Sequence, residues 1–321
     1  MKGMPQGIPF CFSKEYRMFI PSGYYRKKAL AALKGHWQPA LLVALIVNLP
    51  TMLMQGFSMF TGNDLMDRLS AFIVSASRDG VLTQQVLLQE IDTIVASTAF
   101  WLIRGLEILA MLITPCLSLG MYKWLMDLLH GQEQPVNAVF SRMRLFLKAI
   151  GLQLLIFLKV ILWNLPGLAV MIIVMLPVLR AGSTQAQLDA MSAIQGMSFL
   201  PMLLMIVPGV IAALRYALSE YIMAEKPESR IRFCVSRSKE LMKDQKKNLF
   251  FLLTSFLLWY LLELVIASFL SGVLSLVFQM LASLVLSVYI TCSLCVFYLR
   301  LEHAAETGEN PQAEPAPEEL N

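Results

Sequence analysis

The chain alternates between long uncharged runs and shorter stretches in which apolar and basic residues share a helical period. Residues 22–37 (SGYYRKKALAALKGHW) set Tyr25, Leu30 and Leu33 among Arg26, Lys27, Lys28 and Lys34, with Ser22 as a cap. That pattern predicts an amphipathic helix at a membrane interface, ending on Trp37 as a belt residue. Residues 39–60 are uncharged, and a helix needs about 20 residues to cross the hydrocarbon core, so they form a first span. Pro50 is expected to kink it.

Residues 61–92 are polar, with Arg68 and Arg78 against Asp64, Asp67, Asp79, Glu90 and Asp92. The spacings Leu65, Leu69, Phe72, Ile73 and Val86, Leu87, Ile91 predict short helices on the outer surface. A second span over Trp101–Tyr122 keeps Arg104 near its outer end, where a long stem can snorkel, with Glu107 at i+3. Lys123–Lys148 returns inside, and Val139, Phe140, Met143, Phe146, Leu147 and Ile150 beside Arg142 and Arg144 predict a second interfacial helix. The third span, Val160–Leu179, carries Pro166, Gly167 and Pro177, so a straight helix is not expected. A short outer loop over 181–197 leads to a fourth span from Ser198 to about Met223, which holds Pro201 and Pro208-Gly209. A basic helix from about Glu228 to Asn248 follows, with Ile231, Val235, Ser238 and Met242 as its apolar face and Phe233 and Leu241 at the margins. Residues 249–299 have Glu263 as their one charge and suffice for two more spans, turning near Ser271-Gly272. The predicted fold is all-α: a polytopic membrane protein with about six transmembrane helices plus cytoplasmic interfacial amphipathic helices. Its parts are a segment over 1–37, a six-span domain over 38–300 and an acidic tail over 301–321, where six Glu and three Pro from residue 302 onward predict disorder.

Charge sets the orientation. Lys and Arg number seven in 1–37, four in 123–148 and eight in 224–248, against two in 61–92 and one, Arg180, in the other outer loop. Cytoplasmic loops carry the excess of Lys and Arg, which puts both termini in the cytosol of a multi-pass cell-membrane protein. The composition agrees: 57% hydrophobic and 15% charged residues, with a mean hydropathy of +0.63, are far from the roughly 25% charged of soluble domains. Residues 1–20 lack a continuous apolar core, so no cleaved signal is expected.

Few residues suggest chemistry. Arg104, Glu107 and Glu263 are the ionisable groups expected within the hydrocarbon, a candidate intramembrane polar site. Glu263 is expected close to Arg104, because both fall in the outer half and an unpaired carboxylate there would prefer a proton. Arg230, Arg237, Lys243 and Lys247 are candidate contacts for anionic lipid. The five cysteines at 11, 116, 234, 292 and 295 suggest no disulfide framework, and Cys292-x-x-Cys295 inside a span lacks the other ligands of a zinc site. Ser283, Ser287, Thr291 and Cys295 form a small-residue ridge for helix packing. His36, His130 and His303 are far apart in sequence, and no phosphate-binding loop, nucleophile elbow or H-E-x-x-H stands in the chain. No cofactor and no metal are expected.

The stretches YALSEYIMAEKPE and SRSKELMKDQKKNLFFLLTSFLLWYLL resemble the bacterial membrane proteins grouped as domain of unknown function 975, and YYRKKALAALKGHWQPALLVALIV is similar to that family's opening helix and first span. Pro208, Gly209, Tyr216, Pro227, Ser238, Met242, Lys246 and Trp259 occupy the family's typical places. One departure stands out: the family runs almost directly from its Leu-Trp to its Pro-Gly, whereas here an apolar segment and a polar loop separate Trp163 from Pro208. The resemblance implies an integral membrane protein and brings no activity with it. The family's relatives include the membrane domain attached to glycerophosphodiester phosphodiesterases, but a separate catalytic domain would be needed for that reaction and the longest soluble segment, about 37 residues, has no room for one.

Three function classes remain, the membrane enzyme just weighed being the third. The first is a non-enzymatic membrane organiser or regulator whose basic helices hold membrane lipids, anionic ones included, or a membrane-protein partner or second copy. The alternative is a transporter or lipid-handling protein using Glu263 and Arg104. Neither class calls for nucleic acid.

Overall fold

The computed structural model describes residues 22–61, 71–72, 74–75, 84–180 and 199–307. The expected outer loop over 181–197, the residues before 22, the helix around Leu65 and Leu69, and the tail beyond 307 lie outside the described residues. The elements are α1 (Ser22–Leu33), α2 (Trp37–Thr61), α3 (Gln84–Ala96), α4 (Thr98–Leu129), a 3-10 segment (Val136–Leu145), α5 (Phe146–Arg180), α6 (Phe199–Tyr216), α7 (Ser219–Glu225), α8 (Ile231–Leu241), α9 (Lys246–Phe269) and α10 (Gly272–Thr307). No strand occurs among the described residues. Among the described residues six helices (α2, α4, α5, α6, α9 and α10) are long and apolar enough to cross a membrane, as hydrocarbon demands of a chain that must satisfy its backbone within each segment.

The prolines do not end these helices. Pro50 lies inside α2, Pro115 inside α4, Pro166 and Pro177 inside α5, and Pro208 inside α6. Each removes a donor to the carbonyl four residues earlier, and nearby polar side chains bond back to the backbone. Asn48 Nδ2 donates to the Ala44 carbonyl at 2.8 Å beside Pro50, and Thr114 Oγ1 donates to the Ala110 carbonyl at 2.8 Å beside Pro115. The second span begins at Thr98, ahead of Trp101, because Ser97 caps it: its hydroxyl accepts from the Phe100 N–H at 3.3 Å. The turn expected near Ser271-Gly272 forms with Gly272 at φ +58°, a conformation that favours glycine.

Burial is uneven. In α9 the buried residues Asn248, Leu249, Leu252 and Phe256 all fall in the first half, with Ala267 alone beyond, and in α10 burial begins only at Leu284. The opposite halves expose Leu258, Leu264, Phe269 and Val273. Lipid tails are as apolar as leucine, so these faces gain little by meeting one another. The core therefore sits at one end, which we call the basic end, where α1, the 3-10 segment, α7 and α8 gather around α4 and α10. There Tyr25 packs edge-on to Phe297 with ring centroids 5.2 Å apart, and Cys292 and Cys295 turn to different neighbours, the Ala29 and Tyr122 carbonyls. Cys116, Cys234, Cys292 and Cys295 are free and buried. The most buried stripe of α10 runs through Leu284, Val288, Cys292 and Cys295, one position along from most of the expected small-residue ridge.

Two close approaches position everything else. Helices α5 and α6 cross through reciprocal Pro-Gly pairs: a Cβ on Gly167 would lie 2.9 Å from the Leu204 carbonyl oxygen, and one on Gly209 would lie 3.2 Å from the Asn164 side-chain amide. Leu204 is the residue whose carbonyl loses its helical donor to Pro208, so the glycine lets a second backbone come up against that freed oxygen. Trp163 and Pro208, so distant in sequence, meet through this hairpin, and the Arg215 guanidinium lies 5.7 Å from the Trp163 ring centroid. The described parts of the intervening segment, the rest of α5 and the start of α6, pack against each other.

The second approach is tighter. The expected interfacial helix around Val139 is instead a 3-10 segment ending at Leu145, after which Phe146 already belongs to α5. Its backbone rests on α4 at Gly120, where a Cβ would stand 1.9 Å from the Val139 carbonyl oxygen. Backbone cannot step aside as a side chain can, so Gly120→Ala is expected to destabilise by about 1–3 kcal/mol. Gly105→Ala on the same helix meets nothing within 4 Å and should be neutral or stabilise by up to about 1 kcal/mol. Thermal unfolding of the two variants in detergent measures the difference; equal midpoints would mean the 3-10 segment is not seated on α4.

Candidate functional site at the basic end

Three tyrosines from three helices meet here. The Tyr122 ring of α4 stacks on Tyr221 of α7 with centroids 4.4 Å apart, and Tyr221 tilts against Tyr298 of α10 at 6.1 Å. Tyr122 donates its hydroxyl proton to Glu220 Oε2 at 3.0 Å, and Tyr298 donates to Glu225 Oε2. The seven residues of α7 bury Ser219, Tyr221, Ile222, Met223 and Ala224, so this short element at the end of the fourth apolar stretch is a hub of the basic end.

A carboxylate clamp lies beside the tyrosines. Glu302 of α10, with its side chain 8% exposed, takes the Lys226 ammonium at 2.6 Å on Oε1 and the Arg237 guanidinium at 3.3 Å on Oε2. Lys226 also lies 3.7 Å from Glu306, and Arg237 lies 3.8 Å from Glu240. The hydrogen bond to Glu302 raises the Lys226 pKa, against a smaller opposing effect of burial. The clamp fastens α8 and the turn before it onto α10. Two further ties hold the same layer: Ser238 Oγ donates to the Arg215 carbonyl at 3.1 Å, and Lys148 Nζ to the Pro227 carbonyl at 3.0 Å.

The lipid-contact candidates divide. Arg230, Lys243 and Lys247 are exposed, whereas Arg237 is turned inward to Glu302. The basic helix is also shorter than its pattern suggests. It ends at Leu241, and the chain turns through Asp244 at φ +66°, a left-handed conformation that Asp tolerates better than most. Its buried face, Cys234, Val235, Ser238 and Leu241 with Met242 just beyond, takes in most of the predicted one. Burial also pushes the Cys234 thiol up from its ordinary pKa.

The intramembrane candidates do not converge. Arg104 pairs with its own helical neighbour Glu107 at 2.8 Å and lies 5.6 Å from the Phe100 ring centroid. Among the described residues no ion pair includes Glu263, so the expected Arg104–Glu263 pair does not form.

Sequence reasoning missed Glu302, placed in the tail, although α10 continues to Thr307. It also passed over Glu220, Glu225 and Tyr298. A signal was present: Tyr122, Tyr221 and Tyr298 each stand near the basic end of an apolar run, and Tyr298 precedes Glu302 by one helical turn.

Glu302→Gln is expected to cost about 2 kcal/mol, because it leaves Lys226 and Arg237 without their shared charge-assisted partner. Glu306→Gln, at an exposed side chain, should stay within about 0.5 kcal/mol. Because the folded-state pKa of Lys226 is raised, its contribution is complete below the ordinary lysine value of 10.5 and is lost as pH rises through the raised value. Unfolding midpoints measured from pH 7 to pH 11.5 should fall more steeply on the alkaline side for the parent chain than for Glu302→Gln.

No curated protein and no solved structure matches this chain. A family model described as Protein of unknown function (DUF975) matches residues 21–305, from the start of α1 almost to the end of α10, and takes in the tyrosine lattice and the Glu302, Lys226 and Arg237 of the clamp. The chain belongs to the DUF975 family of multi-pass membrane proteins.

Proposed function

We propose that this protein is a non-enzymatic organiser or regulator of the membrane whose basic end faces the cytosol and gathers anionic lipid or a partner carrying the same charge. The observation that supports this reading is the way α8 is mounted. Its apolar face is buried in the bundle and Arg237 is held by Glu302, so the helix is fixed in place, while Arg230, Arg232, Lys239, Lys243 and Lys247 are left exposed. Phe233, half exposed among them, offers an apolar tip to the interface. Each basic residue at an anionic surface contributes at most about 1 kcal/mol, and Glu228, Glu240 and Asp244 offset part of it. A net preference of a few kcal/mol follows, enough to enrich a lipid but too weak to survive high salt, where the Debye length falls to about 3 Å. The transport reading retains Glu263 alone, since Arg104 and Glu107 neutralise each other.

The full chain in nanodiscs of phosphatidylcholine doped with phosphatidylglycerol should enrich the anionic lipid severalfold around itself at low salt, as spin-labelled lipid reports. Arg230→Gln/Lys243→Gln/Lys247→Gln should lose at least half of that enrichment, and 1 M salt most of it. Equal retention of neutral and anionic lipid would sink the reading.

Orientation has its own test. With the basic end in the cytosol, a cysteine placed at Ser236 or Lys239, both exposed on α8, should resist an impermeant thiol reagent in intact cells, and one at Gln85 or Thr93, exposed on α3, should react. The reverse labelling pattern would place the basic end outside.

A further inference from the structure

The basic end holds a cleft of about 340 Å³ between α1, the end of α4, α7 and the last turns of α10, at the lower end of the sizes that ligand pockets take. Its lining carries both signs of charge, but the two signs are not equally available. Glu302 is shared by Lys226 and Arg237, Glu306 is near Lys226, and Glu225 already accepts the Tyr298 hydroxyl. On the other side, Lys28, His130 and His303 come from three different elements, all exposed at the rim. Among the described residues these three side chains make no hydrogen bond or ion pair. Arg300, its guanidinium 5.0 Å from the Tyr24 ring centroid, adds a flat cationic wall. Leu129, Val296 and Leu299 supply apolar surface in the same cleft.

Donors from several elements around one opening call for an oxyanion with several acceptor oxygens, which a phosphate group supplies better than a carboxylate. Apolar surface beside them suits a short carbon skeleton. Glu225, with lone pairs remaining beyond the Tyr298 bond, can accept from a hydroxyl on that skeleton. We propose that this cleft binds a phosphorylated polyol of the glycerol phosphate kind, with Lys28, His130 and His303 on the phosphate and Glu225 on a hydroxyl. The ligand is either a free phosphate ester or the headgroup of a lipid. None of these residues belongs to the exposed fringe of α8, so the site stands or falls independently of that lipid preference.

The test is calorimetric titration of the purified full chain in neutral detergent with glycerol 3-phosphate and with glycerol, and lipid competition in nanodiscs with and without phosphatidylglycerol. Saturable binding of glycerol 3-phosphate and none of glycerol is expected, weakened at least tenfold in Lys28→Gln/His303→Gln and unchanged in Lys243→Gln/Lys247→Gln. If the signal that depends on Lys28 and His303 arises with phosphatidylglycerol alone, the ligand is the headgroup; if it arises with glycerol 3-phosphate, the ligand is the free ester. Lys28→Arg should keep the affinity. Should the double variant unfold, His130→Gln at the exposed rim reads the same loss. Absence of saturable binding in both arms, or binding that these rim substitutions leave unchanged, overturns the proposal.

Discussion

Within hydrocarbon, apolar side chains gain almost nothing by leaving lipid for protein, so something other than the hydrophobic effect must register these spans against one another. At the basic end the carboxylate of Glu302 does this for α10, tying it to α8 and to the turn before it. One oxygen takes the ammonium of the turn before α8 and the other takes the guanidinium of α8 itself. A buried charge with a single partner would cost more in desolvation than it returns; two cations and hydrogen-bond geometry at 2.6 and 3.3 Å change that balance. The tyrosine stack continues the registration sideways, linking α10 to α7 and α7 to α4. The core is consequently thickest at the basic end and thin along the far halves of α9 and α10.

The second organising constraint is backbone proximity. Gly120 and Gly167 stand where a side chain would collide with the backbone of a neighbouring element, and Gly209 packs tightly against the Asn164 side chain; the last two belong to Pro-Gly pairs. Pro208 frees the Leu204 carbonyl and the facing Gly167 lets α5 come up against it, which is how the two helices approach so closely. Polar ties at the basic end and close helix approaches farther along are complementary solutions to one shortage, the lack of a hydrophobic drive between spans.

Much of this fold was legible in the sequence, and for a reason. A charge-free run of about 20 residues has few alternatives in a bilayer, and the turn at Gly272 stood out as the break in a 51-residue stretch with one charge. Interfacial elements were harder. The period around Val139 suits a helix, but the backbone resting on Gly120 selects 3-10 geometry, a tertiary demand that no local pattern carries. The basic helix was drawn too long because its apolar spacing runs on past Leu241, while the break comes from a single left-handed residue, Asp244. The polar site was hidden for a different reason. Glu302 looks like the first acid of a solvated tail until the partners that reach it, 65 and 76 residues away, are brought alongside. Conversely Arg104, Glu107 and Glu263 drew attention through their depth alone, and depth says nothing about convergence.

The basic loop therefore carries two kinds of charge that a count cannot separate. Lys226 and Arg237 are structural: they answer Glu302 and would be needed there whichever side of a membrane the loop occupied. Arg230, Arg232, Lys239, Lys243 and Lys247 face outward, and they are the ones free to meet headgroups or a partner. Removing an inward cation is expected to destabilise the layer and removing an outward one is not, so a phenotype from wholesale neutralisation of this loop would mix loss of structure with loss of surface. The positive-inside rule draws on all eight, because orientation is decided while the chain is being inserted, before the clamp exists to distinguish them. On the proposed orientation the same cations serve first as a topology signal, and only on folding does the buried carboxylate of Glu302 sort them into a fastening and an exposed electrostatic surface.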